Sequence, residues 1–142
     1  ANKALAVEIA GTIINEVAKL ADAGVAEAQF LMGTAWAEGL GTTVDAEIAV
    51  LCYQKAAAQD HVLAQHNLGN VYFSGTGVAQ DYAQAHYWWS LAAAKGGAIP
   101  QFRLGSMYEQ GLGVSKDLHE AERWYRASAR RGNANAAAAL QA

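Results

Sequence analysis

Glycine recurs every 36 residues along this 142-residue chain, and that spacing limits what the chain can fold into. Twelve of the fourteen glycines lie on four rows of equivalent positions, with an aspartate at one place in the fourth row. The rows are Gly33, Gly69 and Gly105; Gly39, Gly75 and Gly111; Gly41, Gly77 and Gly113; and Gly24, Asp60, Gly96 and Gly132. A fixed period of about 20 to 50 residues is typical of repeat architectures. The sequence therefore predicts a stack of similar units rather than one irregular core.

Each 36-residue unit contains two segments with helical periodicity, which we call the first-type and second-type helices. First-type helices are predicted over residues 26–38, 62–74, 98–110 and 134–141, where apolar residues recur four positions apart. Second-type helices are predicted over residues 3–23, 45–59, 81–95 and 117–131. We expect an all-α fold of about eight helices in a single domain, 1–142. Its predicted parts are half-repeat 1–25, repeats 26–61, 62–97 and 98–133, and half-repeat 134–142.

The recurring glycines are expected to be structural. Glycine inside a helix costs about 1 kcal/mol relative to alanine, so its recurrence in every first-type helix indicates a close helix crossing with no room for a Cβ atom. These helix glycines are Gly33, Gly69 and Gly105. A Gly-x-Gly pair then ends the helix, where a positive φ angle is expected. The second glycines of the pairs are Gly41, Gly77 and Gly113.

An aspartate stands at the predicted start of each complete second-type helix, at Asp45, Asp81 and Asp117. A carboxylate there accepts hydrogen bonds from free backbone N–H groups and interacts favourably with the helix dipole. Gln84 and Glu120, three residues further on, complete the pattern of a capping box. We therefore predict that these aspartates are N-caps.

Three short motifs in the first-type helices carry a family resemblance. They are Met32-Gly33-x-x-Trp36, Leu68-Gly69-x-x-Tyr72 and Leu104-Gly105-x-x-Tyr108. They resemble the core motif of tetratricopeptide repeats. With the 36-residue period and the Gly-x-Gly loop, the whole chain resembles the related Sel-one-like repeat family. It departs from that family's pattern at Asp60, Pro100 and Gln141.

The resemblance implies a right-handed α/α superhelical solenoid that acts as a non-enzymatic adaptor for protein partners, often in bacteria. It also implies that the first-type helices line the concave face. Some cysteine-rich relatives, with paired cysteines in each repeat, are described as penicillin-binding or β-lactam-hydrolysing. Because Cys52 is the only cysteine here, we do not extend that activity to this chain.

Candidate partner-binding residues are side chains of the first-type helices that differ between repeats. They are Phe30, Thr34 and Glu38; His66, Asn70 and Phe73; and Phe102, Ser106 and Glu109, with Glu27, Leu63, Ser74, Ile99 and Gln110 beside them. Phe30, His66 and Phe102 share one row and are expected to form an aromatic stripe. The amide of Asn70 can bond a peptide backbone. The alternative interpretation is that neighbouring helices partly bury these side chains.

Motifs for catalysis, cofactors and metals are missing from the sequence. The Gly-x-Gly pairs lack the further glycine or the Lys-Ser/Thr of phosphate-binding loops. His61, His66, His86 and His119 are not spaced as metal ligands on one helix face. Cys52 is interpreted as a half-buried packing residue, and the alternative, a reactive thiol, needs a lowered pKa. We expect no cofactor, no metal and no enzyme activity, a hydrolase being the weakest hypothesis.

The charge distribution supports a second hypothesis, self-association. The net charge of −3 disfavours a nucleic-acid partner, and no apolar run reaches the length of a membrane span. The acidic first half and the arginine-rich second half favour head-to-tail contact. The terminal helices, 3–23 and 134–141, are apolar and lack a covering helix, which a homo-oligomer or a longer array would supply.

Overall fold

A computed structural model describes residues 2–142, which form eight α-helices and no β-strand. The helices are α1 (Asn2–Asp22), α2 (Ala26–Glu38), α3 (Ala46–Ala57), α4 (Val62–Ser74), α5 (Tyr82–Ala94), α6 (Ala98–Gln110), α7 (Leu118–Arg130) and α8 (Ala134–Gln141). The all-α prediction is confirmed, and α2, α4 and α6 have the predicted bounds. The second-type helices α3, α5 and α7 are shorter than predicted because their last predicted residues form the turn into the next repeat.

An aspartate side chain caps the start of each of α3, α5 and α7. The carboxylates of Asp45 and Asp81 each accept a hydrogen bond from the backbone N–H three residues further on, at 3.1 Å. Asp117 accepts from the N–H groups two and three residues further on, at 3.0 and 3.1 Å. A cap of this kind stabilises a helix by about 1 kcal/mol, so each helix start is determined locally.

The predicted capping boxes of α5 and α7 are wrong, because the N-cap N–H groups already have other partners. The Asp81 N–H donates to the Tyr72 carbonyl at 2.8 Å, and the Asp117 N–H donates to the Tyr108 carbonyl at 2.9 Å. The Glu120 carboxylate instead pairs with an arginine of its own helix. Each Gly-x-Gly loop is thus closed by a bond between the end of one helix and the start of the next.

One turn between repeats uses an aspartate where the others use glycine. Asp60 has φ 64°, the left-handed conformation that Gly24, Gly96 and Gly132 adopt at the equivalent positions. The Lys95 Nζ lies 3.1 Å from both the carbonyl oxygen and a carboxylate oxygen of Asp60. A hydrogen bond from Lys95, together with its charge, lowers the pKa of the Asp60 carboxyl. The next repeat therefore holds this less favourable turn in place.

The core of each repeat is built on an aromatic ring that lies directly on a helix glycine. The pairs are Gly33 with Tyr53, Gly69 with Trp89, and Gly105 with Tyr125. A Cβ atom added to Gly69 would overlap Cδ1 of Trp89. All three rings are buried, and the small alanines of α3, α5 and α7 pack around them. The two helices of a repeat therefore approach as closely as their backbones allow.

Buried glutamines connect successive repeats. The Gln65 Nε2 donates to the Ala57 carbonyl at 3.3 Å, and its Oε1 accepts from the Lys95 Nζ at 3.1 Å. Gln29 makes the equivalent pair of bonds in the first repeat. Gln101 donates in the same way, but its buried Oε1 has no hydrogen-bond partner within residues 2–142. The repeats are thus connected by polar as well as apolar contacts.

The helices pack in sequence order. Each contacts chiefly the helix before it and the helix after it, from α1 against α2 through to α7 against α8. A chain in which every element packs on its sequence neighbours forms an elongated stack. The result is an α/α solenoid.

Replacing Gly69 with alanine is expected to lower the free energy of unfolding by about 1 to 3 kcal/mol, because the methyl group overlaps the buried Trp89 ring. Gly11 is the matched control, since it lies inside α1 with nothing within 4 Å of an added Cβ atom. Gly11→Ala is expected to stabilise the chain by about 0.5 to 1 kcal/mol. Urea unfolding measures both variants. A Gly69→Ala protein as stable as the wild type would contradict the close crossing.

Candidate peptide-binding groove

The helices α2, α4 and α6 each present one stripe of side chains to solvent. The stripe positions are four, three and four residues apart, which places them on one side of a helix. Together we call these residues the exposed stripe. They are Glu27, Leu31, Thr34 and Glu38 in α2; Leu63, Asn67, Asn70 and Ser74 in α4; and Ile99, Arg103, Ser106 and Gln110 in α6. All of them are exposed or half-buried, so a partner lying across the three helices can contact them.

The first repeat places its predicted groove residues around one tyrosine. The Phe30 ring stacks on the His61 imidazole with centroids 4.7 Å apart and lies 5.8 Å from the Tyr53 ring. The Thr34 hydroxyl lies 3.3 Å from the Tyr53 hydroxyl. The imidazole of His61 also lies 2.6 Å from the Glu27 carboxylate. Phe30 is therefore half-buried between Tyr53 and the turn that leads from the first repeat into α4.

The third repeat repeats that arrangement. The rings of Phe102 and Tyr125 are 5.6 Å apart, and Ser106 and Glu109 lie beside the Tyr125 hydroxyl. Burial, followed by the charge of Glu109, raises the pKa of Tyr125. Phe102 is half-buried, as Phe30 is. The two phenylalanines of the predicted aromatic row thus pack on a buried tyrosine with one part of the ring and face solvent with the other.

In the second repeat the predicted groove residues Phe73 and His66 both contact Trp89. The Phe73 ring lies 5.0 Å from Tyr82 and 5.3 Å from Trp89, and is half-buried. The Trp89 indole N–H donates to the His66 carbonyl at 3.2 Å. Within residues 2–142 the Asn70 amide makes no hydrogen bond, so all its donors and acceptors are free for a partner.

One row of the exposed stripe is absent from the residues predicted from sequence, and it is formed by Leu31, Asn67 and Arg103. Positions 30 and 31 both fit the helical spacing between Glu27 and Thr34, so spacing alone does not show which of the two faces solvent. Arg103 is the notable member, because no carboxylate of residues 2–142 lies within ion-pair distance of its guanidinium. Its guanidinium carbon lies 5.8 Å from the centroid of the Trp89 ring.

The charge of Arg103 also affects a neighbouring histidine. Burial lowers the pKa of His66, and the nearby Arg103 lowers it further. Both effects favour the neutral imidazole of His66. Beside these polar groups, Leu63 and Ile99 are 54% and 50% exposed. The stripe thus combines a cation, side-chain amides and exposed aliphatic side chains.

The chemistry of the remaining reactive groups is unremarkable. Burial raises the pKa of the half-buried Cys52 thiol, an effect that the charge of Lys55 only partly opposes. A thiol in that state does not fit the reactive alternative.

No three His, Cys, Asp or Glu side chains of residues 2–142 lie close enough together to hold a metal ion. No helix in that range is long and apolar enough to cross a membrane.

The lowered pKa of His66 predicts a pH dependence of stability. Folding favours the neutral imidazole, so its contribution is complete above the ordinary histidine pKa of about 6.5 and is lost as the pH falls through the lower folded value. His66→Asn is therefore expected to lose less stability than the wild type between about pH 7 and pH 5. Urea unfolding at both pH values measures this. The exposed His119, replaced in the same way, is the control, and an unchanged pH response of the His66 variant would contradict the assignment.

The sequence model of the Sel1 repeat family matches residues 26–61, 62–97 and 101–133. No curated protein matches the chain. Helicobacter pylori cysteine rich protein B, at 20% identity, has a TM-score of 0.70 over 90% of this chain and 97% of its own, which shows the fold alone.

Two solved structures are 37% identical to this chain. One is c5321, a protective antigen present in uropathogenic Escherichia coli strains, with an SLR fold; its TM-score is 0.84 over 87% of this chain and 26% of c5321. The other is a Sel1 repeat protein from Oxalobacter formigenes, with a TM-score of 0.79 over 81% of this chain and 47% of that protein. This chain thus spans less than half of either relative. It has the right-handed α/α solenoid fold and belongs to the Sel1 repeat family, whose members are generally non-catalytic scaffolds for protein interactions.

Proposed function

We propose that this chain is a non-enzymatic module that binds a protein or peptide segment across the exposed stripe of α2, α4 and α6. The observation that carries the proposal is a contrast between buried and exposed rows. The buried row of Gly33 is glycine in all three repeats, whereas the exposed row of Leu31 changes from leucine to asparagine to arginine. Residues that recur serve the scaffold, and residues that change are free to serve a partner.

The stripe offers the contacts that an extended peptide needs. The Asn70 amide can pair with a peptide N–H and C=O together. The exposed Leu63 and Ile99 give apolar contacts in successive repeats. We also include in the proposed binding site the groove residues predicted from sequence. These are Phe30, Thr34, Glu38, His66, Phe73, Phe102, Ser106 and Glu109.

Charged substitutions at Leu63 and at an equally exposed leucine elsewhere test this proposal. Leu63→Asp is expected to weaken binding of peptides selected on the wild-type chain by about tenfold or more, about 1.4 kcal/mol. Leu51, 57% exposed on the second-type helix α3, is the matched control, because Leu63 is 54% exposed. Leu51→Asp is expected to leave the affinity unchanged. Fluorescence polarisation with labelled peptides measures both variants.

Thermal unfolding of the same two variants is the second readout, and both are expected to keep the wild-type melting temperature. Phe30 and Phe102 are less suitable positions, since a charge there also disrupts packing on Tyr53 and Tyr125. Wild-type affinity in the Leu63→Asp protein, or equal weakening in both variants, would reject binding at the stripe.

Self-association is a second candidate function, favoured by the apolar side chains of α1. Leu5, Ile9 and Ile13 are 55%, 50% and 58% exposed, a face that a second copy of the chain can cover. Attraction between the acidic first half and the arginine-rich second half contributes less to self-association than the sequence indicates, because Arg123 and Arg126 pair with glutamates of their own helix. Self-association would therefore depend on apolar contact.

If α1 mediates self-association, the sedimentation coefficient of the wild-type chain is expected to rise with concentration. Ile13→Asp is expected to abolish that rise, because it places a charge in the apolar face. Thr12→Asp, at an exposed polar position of the same helix, is the control. A wild-type chain that stays monomeric at high concentration would dismiss this candidate.

A further inference from the structure

A cavity of about 150 Å³ lies between α1, α2 and α3. Its walls are mostly apolar and are formed by Ala18, Ala21, Gln29, Met32, Trp36 and Cys52. Asp22 and Lys55, both exposed, complete the lining and give it one carboxylate and one ammonium group. No residue of the exposed stripe lines the cavity, so it is separate from the proposed groove.

The 36-residue repeat explains why the cavity is there. The residues equivalent to Cys52 are Trp88 and Trp124 in the next two repeats. The Trp88 indole packs against the cluster that includes Leu68 and Tyr72, which are the counterparts of Met32 and Trp36. Trp124 packs in the same way one repeat further on. In the first repeat a cysteine stands where the other repeats have an indole.

Burial of the wall residues agrees with this comparison. Leu68 and Leu104, which lie beneath the two tryptophans, are 0% exposed, whereas their counterpart Met32 is only half-buried. Ala57 is likewise buried, whereas its counterpart Ala21 is half-buried. Replacing an indole by a thiomethyl-sized side chain therefore leaves a space that the surrounding helices do not close.

The size and walls of this space select a planar aromatic ring. A cavity of about 150 Å³ is large enough for a benzene-sized molecule. Trp36 provides an aromatic wall, and the Met32 sulfur provides a polarisable one that makes favourable contacts with ring edges. The neighbouring repeats already bind an indole at this position, supplied by their own chain.

We propose that this cavity is a binding site for a planar aromatic ring of the size of an indole. The ring replaces in the first repeat the contacts that Trp88 and Trp124 make in the others. A free aromatic molecule and a tryptophan side chain of a partner peptide present the same ring, with polar substituents directed to Asp22 and Lys55 at the rim.

Indole itself is the probe. Titration into the wild-type chain, followed by the NMR signal of the Trp36 indole N–H, is expected to give a saturable shift. Cys52→Trp fills the site from within the chain and is expected to weaken indole binding by about tenfold or more. Cys52→Ala is the matched control, because it keeps the space open and is expected to retain binding.

The second repeat supplies an independent test. Trp88→Cys transfers the first repeat's residue to the second and is expected to raise the number of indole sites from one to two in isothermal titration. Because this variant loses a large packed side chain, its melting temperature is measured with and without indole, and indole is expected to raise it more than it raises that of the wild type.

Two outcomes would overturn the proposal: no saturable indole shift in the wild-type chain, or equal shifts in the wild-type and Cys52→Trp proteins. A short peptide with one central tryptophan distinguishes a partner side chain from a free aromatic molecule as the source of the ring. Binding of the peptide at least as tight as that of indole assigns the site to a partner side chain. Binding of indole alone assigns it to a free molecule. Neither result depends on the exposed stripe, so this proposal can fail or succeed separately from the proposed function.

Discussion

An aromatic ring resting on a glycine is the contact on which the remaining structure depends. With Trp89 directly over Gly69, the backbones of α4 and α5 come close enough for small alanines to fill the space around the ring. The same geometry in all three repeats makes each helix pair a unit of nearly constant shape. Constant units can stack in register, and that register aligns the caps, the turns and the buried glutamines.

The elements that depend on local chemistry could be predicted from the sequence. Asp45 could be predicted as the cap of α3, because a carboxylate just before a helix accepts hydrogen bonds from its free N–H groups. Gly33 could be predicted as a close crossing, because glycine inside a helix is otherwise unfavourable. The capping boxes could not, because the competing partner of the Asp81 N–H comes from the preceding helix. The exposed row of Leu31 was missed for a similar reason. Whether position 30 or 31 faces solvent depends on a small rotation of α2 against Tyr53, which periodicity alone does not specify.

The polar residues show how neighbouring repeats affect one another. Lys95 supports both the unfavourable turn at Asp60 and the buried Gln65 of the repeat before it. Arg103, one repeat beyond His66, adds to the effect of burial in lowering the pKa of His66. Such effects cross the boundary between units, so a single 36-residue segment considered alone would not reveal them. The cavity beside Cys52 could not be predicted from one repeat either, because its walls come from three helices.

Packing mainly between sequence neighbours has an evolutionary consequence. Because α3 contacts chiefly α2 and α4, removing or duplicating one whole 36-residue segment recreates a junction of the kind already present on either side. The length of such a protein can therefore change in single genetic steps without passing through an unfolded intermediate sequence. A newly copied segment initially repeats the surface of its parent. Its exposed residues can then diverge while the ring and the glycine beneath it stay the same.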